Sequence, residues 1–196
     1  MTTIYFVRHC QPDFTNNPAD RVRPLSAEGQ KDSFAVMEFL KDKKIDDFYS
    51  SPYKRSYDTV IHAAEYYGKQ ITTDERLRER KVGENGNSGG KDFEIFRKRW
   101  SDFNFAEEGG ESLGSVQKRN IEAVFEILEK SKDKTVAIGT HGTALSSILN
   151  YFDPSFGADD FLRIINFMPY IIRLDFDGKK LVSKTEEMYI EKKFNG

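Results

Sequence analysis

Apolar and polar positions along this chain repeat with two different periods, and the changes of period predict its elements. Residues 4–7 form an unbroken apolar run, as expected of a strand buried on both faces. Residues 11–25 carry Pro, Asn and Asp and read as a loop. Ser26 is placed to cap a helix whose apolar side is Phe34, Met37, Phe39 and Leu40. A second strand is predicted over 45–50. Ser51-Pro52 then opens a helix, with the proline in the first turn, where its missing N–H costs nothing. That helix runs to about Tyr67, and Gly68 ends it. Residues 70–73 suit a short strand. Ser112 caps a long helix reaching Lys130, and residues 135–139 form a strand. Thr140-His141-Gly142 lies at the turn into a further helix. Strands over 171–175 and 180–184 flank Asp177-Gly178, a hairpin signal.

Strands alternate with helices up to that hairpin. This predicts an α/β fold, a three-layer α/β/α sandwich with a mostly parallel sheet. Residues 1–196 read as a single domain, long enough to bury a core. One segment breaks the pattern. Residues 74–110 are rich in Glu, Lys, Arg, Gly and Asn, with a short aromatic helix around 93–100. A long polar insertion of this kind reads as a functional lid.

Charge and cysteine content narrow the function classes. The chain carries 30 Lys and Arg against 32 Asp and Glu, a formal net charge of −2. It therefore has no global basic field for nucleic acid, and any anion site must be a local concentration of charge. A single cysteine excludes an intramolecular disulfide and fits a reducing compartment. There is no signal-peptide pattern and no apolar run of membrane-spanning length. The expectation is a cytoplasmic protein without a membrane partner, its oligomeric state open.

In open α/β sheets, sites form beyond the carboxyl ends of the strands. His9 follows the first predicted strand and His141 follows the strand at 135–139. If these strands are neighbours, both imidazoles reach the same sheet edge. The helix after Ser51-Pro52 starts at that edge too, with Arg55 in its first turn, and a helix N-terminus favours an anion. Arginine holds a phosphate with forked, charge-assisted hydrogen bonds, and a neutral imidazole can attack phosphorus. Arg8, Arg55, His9 and His141 would make a phosphate cradle that needs no metal.

Six short motifs occur in order: Arg8-His9, Leu25-Ser26 with Gly29, Ser51-Pro52-x-x-Arg55 with Thr59, Leu77-x-Glu79, Gly110-Glu111-Ser112 and His141-Gly142. In this order and over residues 8–142 the chain resembles the histidine phosphatase (phosphoglycerate mutase-like) superfamily. The resemblance implies the α/β fold of that superfamily and phosphoryl transfer through a phosphohistidine, with no cofactor and no metal. His9 would be the nucleophile. Arg8, Arg55 and His141 would hold the phosphoryl group, with Gly142 beside them. Glu79 would give a proton to the leaving oxygen and then activate water. The expected substrate is a small phosphorylated metabolite, cleaved by a phosphomonoesterase. Alternatives are mutase-type phosphoryl transfer and an inactive phosphate-binding protein of the same fold. The mutase branch usually has a longer chain, and the intact residue set argues against inactivity.

Some positions pull away from this reading. Glu75 and Glu84 compete with Glu79, since a solvated charge run is the default for such sequence. Cys10 stands where the family usually has Gly or Ala. It is either a small side chain in a tight spot or a thiol made acidic by its cationic neighbours. A cysteine phosphatase would need an arginine six residues on, where Asn16 stands. A cysteine–histidine hydrolase using Cys10 and His141 would leave Arg8, His9 and Arg55 unexplained. Thr15 replaces an asparagine common in mutase-like members, with Asn16 and Asn17 following, so phosphate contacts from this loop are not carried over. His62 shares a helical face with Arg55 and Thr59 and reads as structural. Arg80-Lys81 and Arg97-Lys98-Arg99 either bind a second anionic group or form a solvated lid surface. Trp100, Phe103 and Phe105 read as lid packing.

Overall fold

The computed structural model describes residues 1–15, 19–83 and 93–193. Among the described residues, six strands and six α-helices follow one another: β1 (Thr2–Arg8), α1 (Ala27–Leu40), β2 (Asp47–Ser50), α2 (Lys54–Tyr66), β3 (Ile71–Thr73), α3 (Phe93–Ser101), α4 (Leu113–Lys130), β4 (Thr135–Thr140), α5 (Gly142–Phe152), α6 (Ala158–Ile164), β5 (Phe167–Asp177) and β6 (Lys180–Glu191). The strands form one sheet in the order β3-β2-β4-β1-β5-β6. Pairs β3–β2, β2–β4 and β4–β1 are parallel, and β5 runs antiparallel to both β1 and β6.

The sheet is covered on both faces, and β1 shows why. Strand side chains alternate between faces. Ile4 and Phe6 enter a core with Val124 and Ile127 of α4 and Leu145 and Ile148 of α5. Tyr5 and Val7 enter a second core with Val36 and Leu40 of α1 and Val60 and Ala63 of α2. A strand sandwiched in this way must be apolar at consecutive positions, which is the run seen in the sequence. The three-layer, mostly parallel architecture is the one expected. Among the described residues no helix is long and apolar enough to cross a membrane.

Several boundaries differ from expectation for local reasons. Tyr53 is extended (φ −70°, ψ 131°) and is the N-cap of α2, so Pro52 lies before the helix and not in its first turn. Ser51 Oγ accepts the Tyr53 N–H at 3.2 Å and holds that approach. Arg55 still falls in the first turn. The hairpin is far longer than its two predicted halves, because β5 pairs with β1 on one side and β6 on the other. Pro169 hides this in the sequence: it donates no ladder hydrogen bond, and the β5–β6 register shifts between Phe167 and Tyr170. Gly178 turns the hairpin at φ +58°. Helix α6 was not anticipated. Residues 84–92 of the expected lid, Glu84 among them, lie outside the described residues, as do Asn16 and Asn17.

Candidate active site

Parallel pairing places the carboxyl ends of β1, β4 and β2 side by side. Arg8 of β1 is in register with Thr140 of β4, and Ser50 of β2 with Gly139. The ladders continue one residue further. The His9 N–H donates to the Thr140 carbonyl (3.1 Å) and the Ser51 N–H to the Gly139 carbonyl (3.0 Å). His9, Ser51 and His141 therefore emerge at one edge, and the His9 and His141 rings meet edge-on with centroids 5.3 Å apart.

The hydrogen bonds of His9 determine its tautomer. Nδ1 lies 2.7 Å from the Cys10 carbonyl oxygen, which can only accept, so Nδ1 carries the proton. Nε2 then has a free lone pair, which accepts from Arg55 Nε at 3.2 Å. Burial, with Arg55 and Arg8 adding to it, holds the imidazole well below the usual histidine range. In the free protein His9 should be neutral, with its proton on Nδ1, at pH 6. Ring-nitrogen NMR shifts would read this directly. A titration midpoint near the ordinary 6.5, or a proton on Nε2, would contradict it.

Arg55 of α2 is 4 % exposed. Its Nη1 donates to the Asp20 carbonyl (2.7 Å) and Oδ1 (3.0 Å), and its Nη2 to Oδ2 (3.4 Å). Its guanidinium carbon also lies 5.2 Å from the Tyr53 ring centroid. Asp20 thus ties down the edge of the guanidinium away from His9.

Arg8 is placed differently. Nη1 and Nη2 donate to the carbonyls of Ile164 (2.7 Å) and Ile165 (2.9 Å) at the end of α6. Nε is buried without a partner. Burial pushes this guanidinium down to about 10, so it stays charged at neutral pH. Its plane packs on Gly142: a Cβ there would lie 3.2 Å from Arg8 Cζ and Nη2 and 3.3 Å from Nε. Because the Ile164 and Ile165 carbonyls hold the guanidinium, it has little room to yield. Gly142→Ala should therefore cost about tenfold in kcat/KM, as expected for a displacement of less than an ångström at a positioned group. Unchanged kinetics in that variant would show that Arg8 can move freely.

His141 is the N-cap of α5 and is fully buried. Its Nε2 lies 2.7 Å from Ser51 Oγ, and its Nδ1 is buried with no partner. Burial first, then the charge of Arg55, depresses its pKa well below the usual value. Glu79 closes the arrangement. Its Oε1 accepts from the N–H groups of Arg80 (2.8 Å) and Ala144 (3.0 Å), and its Oε2 from Thr143 (3.0 Å). The carboxylate caps the N-terminus of α5, where free N–H groups and the helix dipole favour an anion. Glu75 instead sits on the surface, paired with Arg21.

All five sequence-predicted residues, Arg8, His9, Arg55, Glu79 and His141, are thus gathered at one sheet edge with Gly142. A cleft of about 320 Å³ is lined by Arg55 and Glu79 of this set, with Asp20, Arg23, Tyr53, Arg80, Lys81 and Val82 in its other walls. Asp20, Tyr53 and Ser51 complete the surroundings. Asp20 opens a short 3₁₀ turn, Asp20–Val22, in a segment whose sequence carries no periodic signal.

Other expectations are corrected. Cys10 is fully buried in the core beside Val7, Leu25 and Val36, and burial pushes its thiol up to about 12. The acidic-thiol reading fails, because desolvation outweighs the neighbouring cations. Arg80 is 6 % exposed and spends its guanidinium on Glu107 Oε2 (3.1 Å) and the Glu111 carbonyl (3.0 Å). Arg99 also pairs with Glu107, Arg97 pairs with Asp159, and Lys98 sits over the Phe105 ring. These basic side chains have internal partners. His62 stacks on Phe34 and faces Glu65 on the surface, as a structural residue should. Trp100 packs on Phe103, Phe156 and Phe161. Among the described residues no group of three or more His, Cys, Asp or Glu is placed to hold a metal ion.

An α/β sheet with a buried histidine pair and two buried arginines at its carboxyl edge defines a protein class, and comparison with known proteins gives the family. Residues 4–186 match the histidine phosphatase superfamily (branch 1), and the chain belongs to that superfamily. It is 31 % identical over 166 residues to a phosphoglycerate mutase-like protein 4 of Arabidopsis thaliana, covering 80 % of this chain and 70 % of that protein. It is 30 % identical over 163 residues to a metal-independent phosphoserine phosphatase of the same plant, covering 76 % and 67 %. The solved structure of Bacillus stearothermophilus YhfR shares the fold, with a TM-score of 0.77 at 24 % identity over 93 % of this chain and 95 % of that one.

Proposed function

We propose that this protein is a metal-independent phosphatase that hydrolyses a small phosphomonoester through a phosphohistidine on His9. The observation that carries this reading is the state of the buried groups around His9. A neutral imidazole presents the lone pair of Nε2, and beside it Arg8 Nε and His141 Nδ1 are buried polar atoms without partners. Buried polar groups are rarely left unpaired, and a phosphoryl group would satisfy both.

In the first half-reaction His9 Nε2 bonds to phosphorus as the bond to the ester oxygen breaks. The Nδ1–H stays on the Cys10 carbonyl and shares the charge that develops on the ring. Arg55 Nε, released from Nε2, Arg8 Nε and the Nδ1–H of a neutral His141, whose Nε2 accepts from Ser51 Oγ, donate to the equatorial oxygens. The departing alkoxide takes a proton from Glu79, which enters this step in its protonated form, the form that the second half-reaction regenerates. Oε1 already accepts two N–H groups and Oε2 only one, so Oε2 is the oxygen with room for that proton. In the second half-reaction Glu79 takes a proton from water, the water oxygen bonds to phosphorus, and Nε2 leaves. One carboxyl group serves as acid and then as base.

Two things favour hydrolysis over mutase-type transfer. A mutase must grip a second acidic group, whereas Arg80, Arg97 and Arg99 are already paired with Glu107 and Asp159. The metal-independent phosphoserine phosphatase among its relatives is also named for hydrolysis without metal. A screen of phosphorylated metabolites, in chelator, measuring phosphate release and isomer formation together, tests the proposal. Release of inorganic phosphate without isomer formation is expected. Isomer formation, absence of turnover, or turnover only with added metal would each refute it.

A further inference from the structure

Glu79 is held from two directions. Its carboxylate sits on the N–H groups at the start of α5. Its main chain is held from the other side by Arg119 of α4. Arg119 Nη1 donates to the carbonyls of Arg76 and Arg78, both at 2.7 Å, and Nη2 donates to the Glu79 carbonyl at 3.1 Å. Its remaining donors, on Nε and Nη2, go to Glu111 Oε1 and Oε2, both at 3.0 Å. All five guanidinium N–H groups are therefore used, three of them on the backbone that delivers Glu79.

Glu111 is saturated in the same way. Oε1 accepts from Arg78 Nη2 (2.9 Å) and Arg119 Nε, and Oε2 accepts from the Lys81 N–H (2.9 Å) and Arg119 Nη2. The Arg119–Glu111 pair thus spans the chain from Arg76 to Lys81 and brackets Glu79. The Arg119 side chain is 11 % exposed, so little water is available to replace these bonds. This stretch begins within a single 3₁₀ turn, Glu75–Leu77, and belongs to no strand, so its carbonyls have no ladder to satisfy them.

We infer that Arg119 is a positioning residue for the Glu79 proton transfer, acting through the main chain and without touching substrate. This rests on the acid role proposed above for Glu79. A lysine at 119 cannot replace it, because an ammonium presents its donors from one point and cannot span three carbonyls and a carboxylate.

The test compares Arg119→Ala, Arg119→Lys, Glu79→Gln and the double variant Glu79→Gln/Arg119→Ala on an alkyl phosphate and on p-nitrophenyl phosphate. Melting curves identify the variants that fold. Arg119→Ala should lower kcat/KM, which reports the phosphorylation step, on the alkyl ester about 10- to 100-fold, the scale of a misplaced catalytic group, with a far smaller loss in kcat/KM on p-nitrophenyl phosphate. Arg119→Lys, which keeps the charge and guards against misfolding in the alanine variant, should show the same selective loss. The double variant should lose no more than Glu79→Gln alone, since both changes remove one function. Equal losses on the two esters, or additive losses in the double variant, would reduce Arg119 to a structural residue and overturn the inference. A Glu79→Gln enzyme with no preference between the esters would instead overturn the acid reading, and this inference with it.

Discussion

Replacing His9 by alanine is expected to lower phosphate release by at least about 10⁴-fold, with the fold intact. The size follows from the absence of a substitute nucleophile. Cys10 is the nearest in sequence, but its thiol is buried in the opposite core and pushed up to about 12. His141 is close, but with its Nε2 accepting from Ser51 Oγ its proton is on Nδ1, which leaves no free lone pair on the ring. Stability should change little by comparison, because among the described residues the His9 side chain bonds to the Cys10 carbonyl and Arg55 alone. A melting temperature lowered along with activity would argue for a structural histidine. Unchanged melting with activity abolished is the expected pattern.

The second large effect is chemical selectivity in Glu79→Gln. General acid catalysis contributes about 10²- to 10⁴-fold where the leaving group needs a proton. Glutamine keeps the acceptor oxygen for the N–H groups of Ala144 and Arg80 but cannot deliver a proton. Alkyl phosphates, which leave as strongly basic alkoxides, should therefore slow by about 10²-fold or more. Phosphorylation by p-nitrophenyl phosphate should slow far less, because p-nitrophenolate leaves without help. The measurement is the ratio of kcat/KM on the two esters in variant and wild type, which reports the phosphorylation step alone because hydrolysis of the phosphohistidine is common to both. A ratio equal in both would remove Glu79 from the proton-transfer role.

Much of this arrangement was legible because it is local. The apolar run before Arg8-His9 reports a strand buried on both faces, and a residue just past its carboxyl end has only one sheet edge to occupy. The same holds for His141 after β4. Capping chemistry placed α4 well: Ser112 Oγ accepts the Ser115 N–H, as the sequence suggested. What could not be read is set by tertiary contact. Arg8 was expected to grip phosphate with its fork, yet both terminal nitrogens go to carbonyls at the end of α6, a helix without a clear sequence signal. Cys10 was weighed by its cationic neighbours in sequence, while the fold places its thiol against Leu25 and Val36. Arg80 and Arg99, open in the sequence between anion binding and a solvated lid surface, both pair with Glu107, far along the chain from Arg80. Arg119 sits on an amphipathic helix where periodicity makes it one more surface cation. Only the fold shows its five donors converging on the chain at Glu79 and on Glu111.

The central claim is a covalent bond between phosphorus and His9 Nε2. Rapid mixing with a ³²P-labelled phosphomonoester, quenched in alkaline denaturant, tests it directly. The wild type should carry a label that survives alkali and is lost in acid, as a phosphoramidate is, and His9→Ala should carry none. Label retained in His9→Ala, or a wild-type enzyme that releases phosphate without ever becoming labelled, would contradict the account.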